Sequence, residues 1–217
     1  IGDDHDGILV LTRKFAGDAD SLAALTPGTD AMPLLGLDRE TVEVNVTPDR
    51  GYCFSVRGIA REYSHATGAA FTDPATALDA AAPAPTDAGF PVVLADEAPI
   101  RGRAGCDRYV ARVVRGIDVS APTPRWMATR LTEAGMRPIS LPVDVTNYVM
   151  LGLGQPLHAF DLDRLEAPIL VRRARAGERL TTLDDTDRAL DEGDLLITDH
   201  GGERAVAIAG VMGGAET

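Results

Sequence analysis

The stretch from Arg137 to Asp161 sets four polar side chains, Thr146, Asn147, Gln155 and His158, among Val, Tyr, Met, Leu and Phe. A polar group in such surroundings must find a partner or lose about 1–3 kcal/mol. Helix capping and mutual hydrogen bonding account for any one of the four alone. A second stretch, Ala207-Ile208-Ala209-Gly210-Val211-Met212-Gly213-Gly214, follows a candidate strand. Its small residues would let a ligand approach the backbone and meet its N–H groups. A tight turn or a close helix–strand contact explains the same residues.

Other chemistries leave no trace. The chain has no GxGxxG, P-loop, GxSxG or HExxH pattern. His5, His65, His158 and His200 do not pair at metal spacing, so no metal site is expected. Cys53 and Cys106 lie far apart without a CxxC context and read as idle thiols of a reducing compartment.

The elements that must position these residues can be read from the chain. Thr41–Val46 alternates like a strand, and residues 49–67 read as a helix stopped by Gly68, with Phe54, Val56, Ile59, Ala60 and Tyr63 on one face. Residues 72–90 are rich in Ala, Pro, Thr and Asp, which bury little and resist helix, so they read as a linker. Beyond it, Arg108–Arg115 reads as a strand. Pro122-Thr123-Pro124 opens a helix ending at Gly135, and Asp144 caps a second that stops at Gly152 and Gly154. Strands follow at 168–175, 178–183, 188–190, 194–198 and 205–208, with Asp184–Asp187 as an acidic hairpin turn. Helices early and strands late give an α+β chain: a β-rich domain with packed helices, preceded by a small, partial helical one.

The chain has 217 residues, 33 acidic and 21 basic, for a net charge of −12. Hydrophobic residues make up 45%, enough for a real core, and no apolar run reaches the roughly 18 residues a membrane span needs. An acidic chain is not a general polyanion binder, so nucleic acid must meet a local basic stretch. Residues 103–137 offer seven arginines against Asp107, Asp118 and Glu133. That segment is either an anion-binding face or arginine spread over a surface. The start, Ile1-Gly2-Asp3-Asp4, reads as the middle of a longer protein.

Five motifs carry a resemblance: Val46-Thr47-Pro48-Asp49-Arg50 with Arg57-Gly58-Ile59-Ala60-Arg61; Ala121-Pro122-Thr123-Pro124 with Trp126-Met127; Val143-Asp144-Val145-Thr146-Asn147-Tyr148-Val149; Gly154-Gln155-Pro156-Leu157-His158-Ala159-Phe160-Asp161; and Ala209-Gly210-Val211-Met212-Gly213-Gly214. In these motifs the chain resembles the β subunit of bacterial phenylalanyl-tRNA synthetase, in family order over essentially its whole length. The resemblance places residues 1–71 in part of a helical B1-like domain and 91–217 in most of a B3/B4 editing domain. It implies hydrolysis of tyrosine wrongly esterified to tRNA(Phe), in support of Phe-tRNA synthesis by the α subunit. A non-catalytic scaffold that packs on the α subunit and orients tRNA is the alternative. ATP and magnesium belong to the α subunit, with no cofactor in this chain. Partners would be the α subunit and tRNA(Phe), in a cytoplasmic α2β2 heterotetramer with no membrane contact.

By position in the motifs, His158, Asn147 and Thr146 would be catalytic and Ala209, Gly210, Gly213 and Arg137 would bind substrate. His158 would orient water or the terminal ribose, as a neutral imidazole can. Thr146 and Asn147 would hold the amino-acid or ribose groups. Ala209 and Gly210 would admit an aromatic ring. Arg137 would sit near the tRNA end or brace the pocket. The family's acidic residue that reads the tyrosine hydroxyl falls beyond Glu216-Thr217, so the resemblance implies an incomplete site and an isolated chain that can be inactive.

Overall fold

The computed structural model describes Thr26, Gly28, Asp30, Met32 and residues 39–216, apart from Pro83, Pro85, 87–88 and 98–100. His5 and about half of the partial helical domain expected over 1–71 lie outside the described residues. The chain divides into two compact units, Ile1–Val44 and Asn45–Thr217, and the account below concerns the second.

Its first helix, α1, spans Val56–Thr67. The helix begins later than the sequence suggests because Ser55 is its N-cap: the Ser55 hydroxyl accepts the Gly58 N–H at 3.1 Å. Residues Gly51–Phe54 form a separate 3-10 turn. Gly58 locks this turn to the helix, since a Cβ there would lie 1.9 Å from the Tyr52 carbonyl oxygen. Gly68 ends α1 at φ +75°, as expected. The apolar face foreseen for this helix is not buried: Phe54 is 71% exposed, and Val56 and Tyr63 are also exposed.

Within the Ala/Pro-rich stretch, Pro74–Ala81 forms a helix, α2. Pro74 is harmless at a first helical position, where its missing N–H would be unpaired anyway. Asp73 accepts the Ala75 N–H at 3.0 Å and caps the turn.

Two helices, α3 (Arg125–Glu133) and α4 (Leu141–Leu153), agree with the Pro and Gly punctuation. Met127 and Leu131 give α3 its buried side. It closes in a Schellman turn, with Gly135 at φ +80°, its N–H bonded to Thr132 O and that of Met136 to Leu131 O. At the start of α4, Ser140 takes the cap position foreseen for Asp144. Asp144 lies inside the first turn, fully buried; it accepts the Ile139 N–H at 2.9 Å and a short hydrogen bond from the Thr123 hydroxyl. One carboxylate thus ties the entries of both helices together. α4 packs mainly on α3 and α1. Its αL stop, Gly154, fits against Ser55, where a Cβ would come within 3.0 Å of the hydroxyl.

The rest is a mixed sheet of five strands, which makes the chain α+β. The strands are β1 (Val92–Ala95), β2 (Ile169–Arg173), β5 (Leu195–Asp199), β6 (Arg204–Ile208) and β7 (Met212–Gly213), in the order β1-β2-β5-β6-β7. β1 runs parallel to β2, so α3 and α4 lie on the crossover between them. The other neighbours are antiparallel. Arg173 clamps Asp96, just past β1, with bonds of 2.8 and 2.9 Å. A separate hairpin, β3 (Arg179–Thr181) with β4 (Asp187–Ala189), follows the acidic-turn reading. Leu180 and Leu190 from this hairpin region pack with Ala174 and Leu196 and so seat it on the sheet.

Among the described residues, neither 41–46 nor 108–115 enters a sheet. Val110 and Val114 stand 71% and 65% exposed. Alternation makes a segment fit for pairing; the ladder of a neighbouring strand makes it a strand, and no described strand supplies one here.

Candidate functional site

The second candidate stretch folds as a hairpin loop. β6 turns into β7 through Ala209-Gly210-Val211. The Val211 N–H bonds to Ile208 O at 3.0 Å, and Gly210, third in that turn, has φ +71°. A type II turn needs a positive φ at this position, which Gly supplies without strain. The Ala209 N–H reaches Leu195 O on β5 at 2.8 Å.

After the loop, the chain is stitched on two sides. Gly214 N–H bonds to Val206 O at 2.7 Å on β6, and the hairpin region answers with Leu183 N–H to Gly213 O and Ala215 N–H to Thr181 O, both 3.0 Å. Both glycines are buried. A Cβ on Gly214 would lie 2.7 Å from Val206 O, so only glycine lets three strands approach this closely.

Gly213 is where the first candidate stretch arrives. A Cβ on Gly213 would lie 2.6 Å from His158 Cε1, 3.0 Å from His158 Nε2 and 3.0 Å from Leu183 Cδ1. The Cε1–Nε2 edge of the imidazole therefore rests on bare backbone. Phe160 meets the ring edge to face, with centroids 4.5 Å apart. His158 as a residue stays open to solvent, while the packed edge of its ring is desolvated. Desolvation disfavours the imidazolium and holds the pKa below the ordinary imidazole value, so the ring is neutral near pH 7. Neither ring nitrogen is engaged by a described residue.

The structure thus brings His158 and Gly213 into contact, with Ala209 and Gly210 on the same hairpin. Thr146 and Asn147 lie on α4, half-buried. The Thr146 hydroxyl donates to Val143 O in its own helix at 2.7 Å and is to that extent committed. The Asn147 amide has no hydrogen bond to a described residue. Arg137 is exposed just beyond the Schellman turn and pairs with no described residue. Reading the residues alone gave no weight to Leu183, which is 56% exposed yet overhangs Gly213. Its only sequence signal is an apolar residue before an acidic turn.

A groove of about 400 Å³ opens elsewhere, between the β3–β4 hairpin, β6 and the chain beyond Gly213. Its walls include Glu178, Arg179, Asp187, Glu203, Arg204 and Glu216, and none of the candidate residues lines it, although Gly214, next to Gly213, does. The arginines there already hold carboxylates: Arg179 holds Asp187 at 2.7 Å and Arg204 holds Asp199 at 2.5 Å. It is an ion-paired seam, with no nucleophile or base set against a free donor. Among the described residues no cluster of three or more metal-ligating side chains occurs, and no helix is long and apolar enough to cross a membrane.

A family model described as the B3/4 domain matches residues 105–217. The phenylalanine–tRNA ligase β subunit of Leifsonia xyli subsp. xyli is 61% identical over 219 residues, covering 100% of this chain and 24% of the relative. That of Bifidobacterium longum is 56% identical over 224 residues, covering 99% and 26%. That of Xanthomonas campestris pv. campestris is 44% identical over 218 residues, covering 98% and 26%. The chain spans about a quarter of the length of the curated relatives it matches.

Proposed function

The chain belongs to the B3/4 domain family, and from that premise we propose that it is the editing module of a phenylalanine–tRNA ligase β subunit, hydrolysing tyrosine wrongly esterified to tRNA(Phe). The observation that carries this reading is the His158 imidazole, neutral and open to solvent on one side, seated on the bare backbone of Gly213. In this reaction a water oxygen attacks the ester carbonyl carbon. The bond from that carbon to the ribose oxygen breaks, the ribose oxygen takes a proton, and free tyrosine and intact tRNA leave. The ester is already activated, so placing water is most of the task. His158 has a free nitrogen to accept a hydrogen bond from that water, and neutrality near pH 7 keeps it able to accept. Asn147 offers an uncommitted amide for the amino-acid or ribose groups. Leu183 and the turn at Ala209-Gly210 supply an apolar wall and room for a ring.

A synthetic site for Phe cannot fully exclude Tyr by size, since the two differ by a hydroxyl. A second site that hydrogen-bonds this hydroxyl rejects Phe, because Phe leaves the polar groups unpaired. In this reading the α subunit makes Phe-tRNA with ATP and magnesium, and the two subunits work as an assembly in the cytoplasm. The test is deacylation of Tyr-tRNA(Phe) by the full-length β chain in its native assembly, wild type against His158→Ala. A loss of two or more orders of magnitude in rate supports the reading; equal rates remove His158 from the reaction.

A second reading, a scaffold without chemistry, draws on exposed apolar side chains of α1 and the turn before it, Val56 and Tyr63 on the helix and Phe54 on the turn. Such side chains suit packing against another protein surface. Wild-type enzyme that leaves Tyr-tRNA(Phe) intact would favour it.

A further inference from the structure

The seam between α3 and α4 carries two residues to which the ester site gives no role, Trp126 and Arg130, beside Arg137, which the resemblance already places near the tRNA end or bracing the pocket. Trp126 on α3 is 53% exposed, although it meets the Tyr148 ring of α4 edge to face at 5.2 Å. Arg130, one turn further along α3, lies over both rings, its guanidinium carbon 5.7 Å from the Trp126 centroid and 6.0 Å from that of Tyr148. It donates to the Tyr148 hydroxyl at 2.7 Å. Arg137 follows at the same end of the helix.

The charges around this cluster differ from those of the strand-rich part of the chain. All seven arginines beyond residue 161, namely 164, 172, 173, 175, 179, 188 and 204, form an ion pair with a carboxylate. Carboxylates outnumber basic side chains 33 to 21, which favours such pairing. Arg130 and Arg137 have no ion pair with a described carboxylate, as is also true of Arg101, Arg103, Arg108 and Arg115 earlier in the arginine-rich region; among these six only Arg130 lies over aromatic rings. Arg130 is instead held in place by two aromatic rings and a phenol. A mere staple between two helices would explain the Arg130–Tyr148 hydrogen bond, but not a half-exposed indole beside two uncompensated positive charges. A protein partner with an acidic surface would match the charge and leave the flat aromatic face unused. A single-stranded nucleic acid uses both: bases stack on aromatic and guanidinium faces, and phosphates meet arginines.

We infer that Trp126, Arg130 and Arg137 form a contact surface for single-stranded RNA, with Trp126 as the stacking platform. The inference rests on the reading of this chain as part of a tRNA-handling enzyme, and the single-stranded 3′ end of the tRNA is the strand it would take. It turns the arginine-rich segment 103–137 from a surface scatter into a binding face at its C-terminal end.

The test is equilibrium binding of a fluorescently labelled oligonucleotide, copied from the 3′ end of tRNA(Phe), to the full-length β chain in its native assembly. Trp126→Ala should weaken binding about tenfold, and Trp126→Phe should restore most of it, because a phenyl ring still stacks. Arg137→Gln, at a position with no described partner to lose, should reduce the slope of log affinity against log salt by about 0.7, the value for one phosphate contact on a single strand. Arg130→Gln should do the same. Binding by Trp126→Ala and Arg137→Gln indistinguishable from wild type overturns the inference, as does Trp126→Phe binding no better than Trp126→Ala. Uncharged RNA is the probe, so failure here leaves the deacylation result standing, and loss of the deacylation reading leaves this binding result standing.

Discussion

The imidazole of His158 and the backbone of Gly213 occupy space that a single methyl group would contest, with His158 Cε1 2.6 Å from the position of a Cβ. Gly213 does not adopt a positive φ, so alanine is compatible with its backbone. The clash then falls on the imidazole and on Leu183 Cδ1, both side chains able to move. Gly213→Ala is therefore expected to leave the chain folded and to push the ring from its seat. Misplacing a catalytic group by about 1 Å can cost on the order of a hundredfold. Single-turnover deacylation of Tyr-tRNA(Phe) should show a loss of that order with thermal unfolding little changed; an unchanged rate would mean that the ring's position does not matter.

The pH dependence of the same ring has a definite sign. Its folded pKa lies below the unfolded value because burial disfavours the charged form. Between those two values the unfolded chain binds more protons than the folded one, so stability rises with pH. The contribution is fully present above the ordinary imidazole pKa, about 6.5, and is lost as pH falls through the folded pKa. Deacylation should decline over the same acidic window as the imidazolium forms. NMR titration of the His158 ring should give an inflection below the ordinary imidazole value of about 6.5; an inflection at or above it contradicts the desolvated seat.

How much of this could be read along the chain depends on the distance over which each feature is decided. α3 and α4 were legible because Pro122, Pro124, Gly135 and Gly154 act locally on backbone angles. The hairpin around Asp184–Asp187 was legible for the same reason. Arg108–Arg115 has the alternation of a strand but joins no sheet among the described residues, and pairing is settled by distant chain. β1 and β7 are too short to carry a period, and α2 hides in a stretch whose proline falls at the one helical position that tolerates it. The site shows the same division. The motifs named His158 and Gly213 separately, but their contact follows from how β7 is stitched between β6 and Thr181–Leu183. Leu183 enters the site only through that stitching.

Asp144 supplies a test of the helical part. It is fully buried and accepts hydrogen bonds from Ile139 N–H and the Thr123 hydroxyl. Asp144→Ala leaves both donors without their acceptor in a packed interior, at about 1–3 kcal/mol for each such group. Asp144→Asn keeps one oxygen and the shape, so it should recover part of the loss. Hydrogen exchange at the amides of α3 and α4 reads the effect locally. Protection should fall most in Asp144→Ala and less in Asp144→Asn; equal protection in all three proteins would show that the carboxylate does not join the two helices.

Gly58 sets two effects of opposite sign against each other. In a helix interior, glycine to alanine ordinarily stabilises by about 1 kcal/mol. Here the added Cβ would lie 1.9 Å from the Tyr52 carbonyl oxygen and 2.6 Å from its carbon, backbone atoms of the 3-10 turn that cannot rotate away as a side chain can. Overpacking a tight site costs about 1–3 kcal/mol, occasionally more, and contact with backbone belongs at the upper end. The clash should win, so Gly58→Ala is expected to destabilise by roughly 2 kcal/mol net, through separation of residues 51–54 from α1. Hydrogen exchange should rise at Cys53 N–H, which bonds to Arg50 O at 2.8 Å within that turn, and at Ile59 N–H, which bonds to Ser55 O at 3.0 Å. Increased protection at those two amides would show instead that the turn moves aside and helix propensity prevails.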